Sequence, residues 1–279
     1  MEYGRSEQAE EQSKEELRLK DRLSRITHKL IVMSGKGGVG KSSVSVYIAL
    51  GLARLGRKVG LLDVDLHGPS IPRMVGASGM FKVDLQNRLI PKVCDAGLKV
   101  VSMECLLENP DSAIIWRGPV KHGVIRQFIS EVNWGDLDFL VVDCPPGTGD
   151  EPMSVAQSIP DAKAVIVTTP QEVALADVRK SIDFCAKAHL PILGVVENMS
   201  GYICPHCRQE APLFGRGGGE AMAENMGIPF LGSLPFDPSV VFASNEGKPL
   251  PESQGEPCPF SDAMREVVGR ITQLCGGVV

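Results

Sequence analysis

The sequence predicts a mostly parallel, doubly wound α/β sheet flanked by helices, and three features of its 279 residues carry that expectation. Short runs rich in Val, Ile and Leu recur along the chain, the pattern of strands buried on both faces. Segments with helical spacing alternate with them, the order that builds a parallel sheet. A glycine-rich loop, Gly35-Lys36-Gly37-Gly38-Val39-Gly40-Lys41-Ser42, stands between the first strand and the first helix and fits the phosphate-loop pattern G-x-x-x-x-G-K-S/T. The expected architecture is that of a P-loop NTPase.

Residues 1–25 form a charge-dense leader whose few apolar side chains are Leu17, Leu19 and Leu23, read as a partly helical extension ahead of a domain over 26–279. Strands are expected at Leu30–Met33, Lys58–Leu62, Lys99–Met103, Phe139–Val142, Ala164–Thr168, Ile192–Glu197 and Phe230–Leu234. Helices are expected at Ser43–Leu55, Pro119–Glu131, Glu172–Ala188, Gly218–Asn225, Pro238–Ser244 and Ser261–Leu274. In the first of these, Val44, Ile48, Leu52 and Leu55 share one face. The stretch from Met199 to Gly219 is rich in Pro and Gly and is expected to be structureless, a length of loop that usually signals function.

Composition narrows the class. Apolar residues make up 43% and charged residues 23%, as in a soluble globular protein. A net charge of −5 gives no reason to expect nucleic acid as the main partner. No apolar run approaches the ~18 residues that span a bilayer, so no membrane role is expected. The charged start lacks the apolar core of a secretory signal. Eight cysteines in such a chain point to a reducing cytoplasm, where thiols stay free or bind metal.

The loop sets the chemistry. Glycines let successive backbone N–H groups turn inward around the phosphates of a bound ATP, with Gly35 to Ser43 forming the cradle. Lys41 reaches the β/γ oxygens and the Ser42 hydroxyl ligands Mg²⁺. Phe139-Leu140-Val141-Val142-Asp143 is an apolar strand ending in a carboxylate, the Walker B arrangement, and Asp143 is a further Mg²⁺ ligand. Gly147, just beyond, is placed to offer its N–H to the γ-phosphate. Leu61-Leu62-Asp63-Val64-Asp65 ends in two more carboxylates at the strand end where ligands bind in open α/β sheets. Asp65, nearer the loop, is the candidate to orient the attacking water and to reach the Mg²⁺ shell, with Asp63 supporting it. His67 in the following switch is read as a surface or hydrogen-bonding residue.

Cys204-Pro205-His206-Cys207 is a second informative feature. The C-x₂-C spacing lets two thiolates converge on one centre, half of what a four-cysteine zinc site or a 4Fe–4S cluster needs. No second such pair exists, and Cys94, Cys105, Cys144, Cys185, Cys258 and Cys275 are scattered. Two copies of Cys204 and Cys207 meeting across a two-fold axis would supply four thiolates, so the pair calls for a homodimer. A redox pair, a structural zinc and a bridging iron–sulfur cluster all remain open, because spacing does not separate iron from zinc.

The loop with its additional Lys36 resembles that of the MinD/ParA/Mrp class of P-loop ATPases. The match extends to Asp65-Leu66-His67-Gly68-Pro69-Ser70-Ile71-Pro72, Trp116-Arg117-Gly118-Pro119, Asp143-Cys144-Pro145-Pro146-Gly147-Thr148-Gly149-Asp150 and Val196-Glu197-Asn198-Met199-Ser200 ahead of the cysteine pair. Over roughly residues 25–250 the chain is similar to Mrp/ApbC-type iron–sulfur carriers. The resemblance implies an ATP-hydrolysing homodimer that carries a 4Fe–4S cluster and passes it to apo-proteins, alongside other cluster-assembly factors. It implies catalytic roles for Lys36, Lys41 and Asp65, with Lys36 reaching the partner's phosphates. A cation supplied in trans is worth roughly 10³–10⁵ in rate in GTPases. It also implies adenine contacts from Asn198 and from Pro235, Phe236 and Asp237. Some relatives carry cysteines in an N-terminal extension; residues 1–25 hold none, so no second cluster is expected. The rival class is a MinD/ParA-like positioning or regulatory ATPase with a structural zinc at its dimer interface. Against it stand the ending Cys275-Gly276-Gly277-Val278-Val279, a poor membrane anchor after the last helix, and the overall acidity.

Overall fold

The computed structural model describes residues 16–65, 68, 70–77, 82–86, 88–103, 118–204, 206–207, 209–248 and 258–276. His67, Cys105, Trp116, Arg117, Pro205 and the first part of the leader lie outside the described residues.

The described chain opens on a helix over residues 16–24 (α1). Then come β1 (Ile26–Met33), α2 (Lys41–Arg54), β2 (Val59–Asp63) and the single turn α3 (Ile71–Met74). The short strands β3 (Lys82–Val83), β4 (Leu89–Ile90) and β5 (Lys92–Val93) lead into β6 (Lys99–Ser102). Next are α4 (Gly118–Glu131), β7 (Leu137–Asp143), α5 (Asp150–Ser158), β8 (Lys163–Thr168), α6 (Glu172–Lys187) and β9 (Ile192–Glu197). A hairpin of β10 (Tyr202–Ile203) and β11 (Glu210–Ala211) precedes α7 (Gly218–Asn225), β12 (Phe230–Ser233), α8 (Pro238–Glu246) and α9 (Pro259–Leu274).

Eight strands form one sheet in the order β12-β9-β8-β1-β7-β2-β6-β5. All neighbours are parallel except β5, which joins β6 antiparallel at the edge. β1 is central: the chain moves from it to β2 and β6, returns through β7 between β1 and β2, and leaves on the other side through β8. That change of direction opens a crevice at the C-terminal end of β1, the usual ligand position in such sheets.

Alternation along the strands explains why both faces are covered. Leu30 and Val32 join one core with α2 and α9, while Ile31 and Met33 join the other with α4, α5, α6 and α7. Leu61 and Leu62 divide in the same way, as do Val141 and Val142. The seven expected main strands are present, with ends that differ by a few residues. Two helices lie outside the expected set: α3, one turn around Pro72, and α5, nine residues that open with Asp150, Glu151 and Pro152. The stretch expected to be structureless from Met199 to Gly219 contains the β10–β11 hairpin, because Tyr202–Ile203 and Glu210–Ala211 pair across a short turn.

The described part of the leader is helical, and Leu19 and Leu23 are buried in the same core as Ile26, Ile125 and Phe128. Its last turns therefore belong with the folded body. Leu23→Ala should lower the unfolding free energy by about 2–3 kcal/mol in a urea titration, the range for a buried leucine lost to a partly collapsing cavity. A loss within experimental error would mean that α1 is not docked.

Candidate functional site

The loop between β1 and α2 closes around a carboxylate. Asp143, at the end of β7 and fully buried, is paired in register with Asp63 of β2 and with Val32 of β1. Its Oδ2 accepts from the Ser42 hydroxyl at 2.6 Å and its Oδ1 from the Ser45 hydroxyl at 2.7 Å. Lys41 Nζ lies 2.7 Å from Asp143 Oδ1 and 3.4 Å from Ser42 Oγ. Hard oxygen donors from Ser42 and Asp143, set side by side, suit Mg²⁺. Ser45 was not singled out in the sequence. Its signal is a small polar residue three positions after Ser42 on an otherwise apolar helix face.

Two glycines are required by close approach. Gly40 has φ of 79° and its missing Cβ would collide with Asn198 Nδ2. Gly35 passes so close to α6 that a Cβ would sit 2.5 Å from the Asp177 carbonyl. A side chain at either position would push the loop off its neighbours.

A cavity of about 370 Å³ opens over the loop. Lys36, Gly37, Gly38, Gly40, Lys41, Ser42, Ser43 and Asp65 line it, so most of the expected phosphate-site residues come together. Gly35, Val39 and Asp143 stand behind this surface as its support. The far wall is made by Val240, Val241, Ser244 and Asn245 of α8, none of which the sequence pointed to.

None of the residues expected to contact adenine lines this cavity, and three of them hold local structure. Asn198 is buried and donates through Nδ2 to Val39 O at 2.9 Å. The Phe236 ring packs against Tyr202 and Phe214, following Pro235 at the exit of the sheet. Asp237 caps α8, with Oδ1 accepting from Ser239 N at 2.9 Å. Gly147 N–H, expected at the γ-phosphate, donates to Ser34 O at 2.8 Å.

The two carboxylates of β2 behave differently. Asp63 is fully buried, accepts from Asp65 N at 3.1 Å and from the Ser102 hydroxyl at 3.1 Å. Burial, and after it the charge of Asp143, push its carboxyl up to about 8. Asp65 is half-buried on the cavity wall, and its Oδ1 accepts from Gly68 N at 3.3 Å.

Cys204 and Cys207 sit at the tip of the β10–β11 hairpin, the first half-buried and the second exposed. Cys204 N donates to Gln209 O at 3.0 Å, which closes the turn. The Cys204 thiol is lowered, first by the Cys207 N–H, then by the His206 N–H and the Cys207 thiol. Four other cysteines contrast with it. Burial raises the thiols of Cys94, Cys144 and Cys275, and pushes Cys185 up to about 12. Among the described residues, no group of three or more His, Cys, Asp or Glu converges as a metal site.

A central parallel sheet, a lysine-signature phosphate loop and a strand-end Asp behind it define a P-loop nucleoside triphosphatase. The chain belongs to the family described as "ParA: NUBPL iron-transfer P-loop NTPase", which matches residues 25–272. It is 44% identical over 266 residues to an iron-sulfur cluster carrier protein of Methanocaldococcus jannaschii, covering 95% of this chain and 91% of that one. It is 49% identical over 230 residues to the human cytosolic Fe-S cluster assembly factor NUBP2, covering 81% and 85%. Among solved structures, a nucleotide-binding protein of Archaeoglobus fulgidus in complex with ADP is 40% identical, with a TM-score of 0.75 over 84% of this chain and 91% of that one. The cell division ATPase MinD of Pyrococcus furiosus shares 25% identity at a TM-score of 0.63, over 89% and 99%.

The Asp63 carboxyl yields a pH test. Its folded value lies above the unfolded value of about 3.9, so protonated Asp63 stabilises the fold at low pH, and that contribution is lost as pH rises toward about 8. Nucleotide-free protein should lose urea resistance between pH 5 and pH 8.5, and Asp63→Asn should flatten that loss. An equal loss in the variant would assign the pH dependence to other groups.

Proposed function

We propose that this chain acts as an ATP-hydrolysing homodimer that holds a bridging 4Fe–4S cluster on two copies of Cys204 and Cys207 and hands it to apo-proteins. The observation that carries the reading is the hairpin tip. It presents two thiols within hydrogen-bonding reach of each other, one with a lowered pKa, and among the described residues no third ligand joins them. A pair that supplies half a coordination shell is completed by a second copy. The relatives named as cluster carriers and assembly factors support the same cargo.

Each residue of the site has a part in this reading. Ser42 and Asp143 would hold Mg²⁺, which when bound supplies charge neutralisation for the phosphates. Lys41 leaves Asp143 for the β/γ oxygens. Asp65, on the cavity wall, orients the attacking water. Lys36 serves the partner's nucleotide, so that hydrolysis depends on the dimer. Asn198 would meet the purine edge with its amide, and Pro235, Phe236 and Asp237 would offer backbone groups and an apolar wall to the adenine. Clients are apo iron–sulfur proteins, met together with other assembly factors; neither nucleic acid nor a membrane is part of the reading. Among the described residues no helix is long and apolar enough to cross a membrane. The relative named cytosolic supports a cytoplasmic setting. Residues 1–25 are an extension to the ATPase domain at 26–279, joined to it through α1.

Lys41→Ala should lose ATP affinity and turnover together, because its cation meets the phosphates in the ground state. Lys36→Ala should keep affinity and lose turnover, by about 10³-fold or more if it works as a trans cation does in GTPases. Wild-type turnover in Lys36→Ala would end the trans role.

Anaerobic reconstitution should give about two irons and two sulfides per chain, one cluster per dimer. Cys204→Ser or Cys207→Ser should abolish it while ATP binding survives, and replacing Cys94, Cys105, Cys185, Cys258 or Cys275 should not remove it. Stoichiometric zinc without iron or sulfide would replace the carrier with a zinc-stapled ATPase.

A further inference from the structure

β9 ends in a buried carboxylate, Glu197, for which the nucleotide chemistry has no use. Its Oε1 accepts from the Ser200 hydroxyl at 2.6 Å and from Gly217 N at 2.9 Å. Its Oε2 accepts from Gly219 N at 2.5 Å. Ser200 lies where the chain departs toward Cys204 and Cys207; Gly217 and Gly219 lie where it returns into α7. One side chain thus clamps both ends of the cysteine loop.

The next residue faces the phosphate loop. Asn198 Nδ2 donates to Val39 O at 2.9 Å and fills the space that a Cβ on Gly40 would need. Between the two anchored segments, Met199 takes φ of 57°, a left-handed conformation that a methionine holds only where its surroundings impose it. Ser200 N donates to Leu234 O at 2.8 Å, and Asn198 N to Thr168 O at 2.8 Å, so the backbone here is pinned to the strands on both sides. Phosphate loop and cysteine loop are joined through consecutive residues of one strand end.

We propose that Glu197 is the positioning residue of the cysteine pair: it fixes the base of the hairpin relative to Asn198, so that a change in the phosphate loop on ATP binding is delivered to Cys204 and Cys207. The consequence for a cluster rests on the function proposed above; the mechanical link requires only the metal-free protein. A carboxylate is suited to the task because it offers acceptor sites to all three donors at once. Glutamine keeps the volume but turns one of those oxygens into an NH₂ that opposes an N–H or hydroxyl donor.

The test uses the full-length, reduced, metal-free chain. Alkylation of Cys204 and Cys207 by iodoacetamide is followed by peptide-resolved mass spectrometry, without nucleotide, with ADP and with a nonhydrolysable ATP analogue. In the wild type the analogue should change the rate by about fivefold or more, the lower range of coupling between two sites. Glu197→Gln should bind the analogue with unchanged affinity and reach the same oligomeric state on sizing, yet its rate ratio should fall toward one. Ser200→Ala, which keeps the carboxylate and removes a single donor, should lower the ratio part-way. Glu210→Gln, an exposed change in the same hairpin, should leave it intact. Wild-type rates indifferent to the analogue, or a wild-type ratio in Glu197→Gln, would overturn the proposal. So would lower thermal stability of Glu197→Gln with its ratio preserved, which marks a purely structural clamp. Nucleotide-dependent thiols in a wild type that takes up no iron or sulfide would keep the link and remove the cluster carrier instead.

Discussion

The site is organised by the need to satisfy one buried carboxylate. Asp143 has no solvent and stands beside Asp63, so its charge must be met from within the fold. Ser42, Ser45 and Lys41 do this, and all three come from the first turns of α2. The helix is thereby drawn onto the end of β7, and the glycine loop ahead of it has to turn tightly to connect. In this arrangement Lys41 has two claims on it. Drawing it toward phosphates removes the cation from Asp143, and the carboxylate pair then needs another. A divalent cation held by Ser42 and Asp143 would meet that need, which would tie nucleotide entry to metal entry on electrostatic grounds.

Most of this was legible in the sequence, because the phosphate loop is local: glycines, lysine and serine at fixed spacing dictate backbone shape without help from tertiary contacts. The strands were legible for a similar reason, since burial on both faces leaves continuous apolar runs such as Leu30–Met33. What was not legible depends on which residues meet across the fold. Nothing near α8 in sequence says that Val241 and Asn245 face the loop, because their place follows from β12 lying at the far edge of the sheet. Asn198 and Phe236 were readable as polar and apolar groups at strand ends, but not as groups already engaged by Val39 and by Tyr202. The β10–β11 hairpin was hidden because its two-residue strands lack any alternation to detect.

The cysteines show the same division between packing and chemistry. Cys144 and Cys185 occupy core positions where burial disfavours the thiolate, and Cys185 lies 3.4 Å from Met33 Sδ in an apolar setting. Cys204 differs in its backbone rather than its burial. Backbone N–H groups of His206 and Cys207 point at its sulfur and favour the thiolate that a metal centre requires. A centre held this way rests on a solvent-facing turn and has no deep cavity around it. Its retention would depend on how rigidly the turn is held at its base, where Glu197 and the aromatic contacts of Phe236 meet the chain, and that base adjoins the elements that surround the nucleotide cavity.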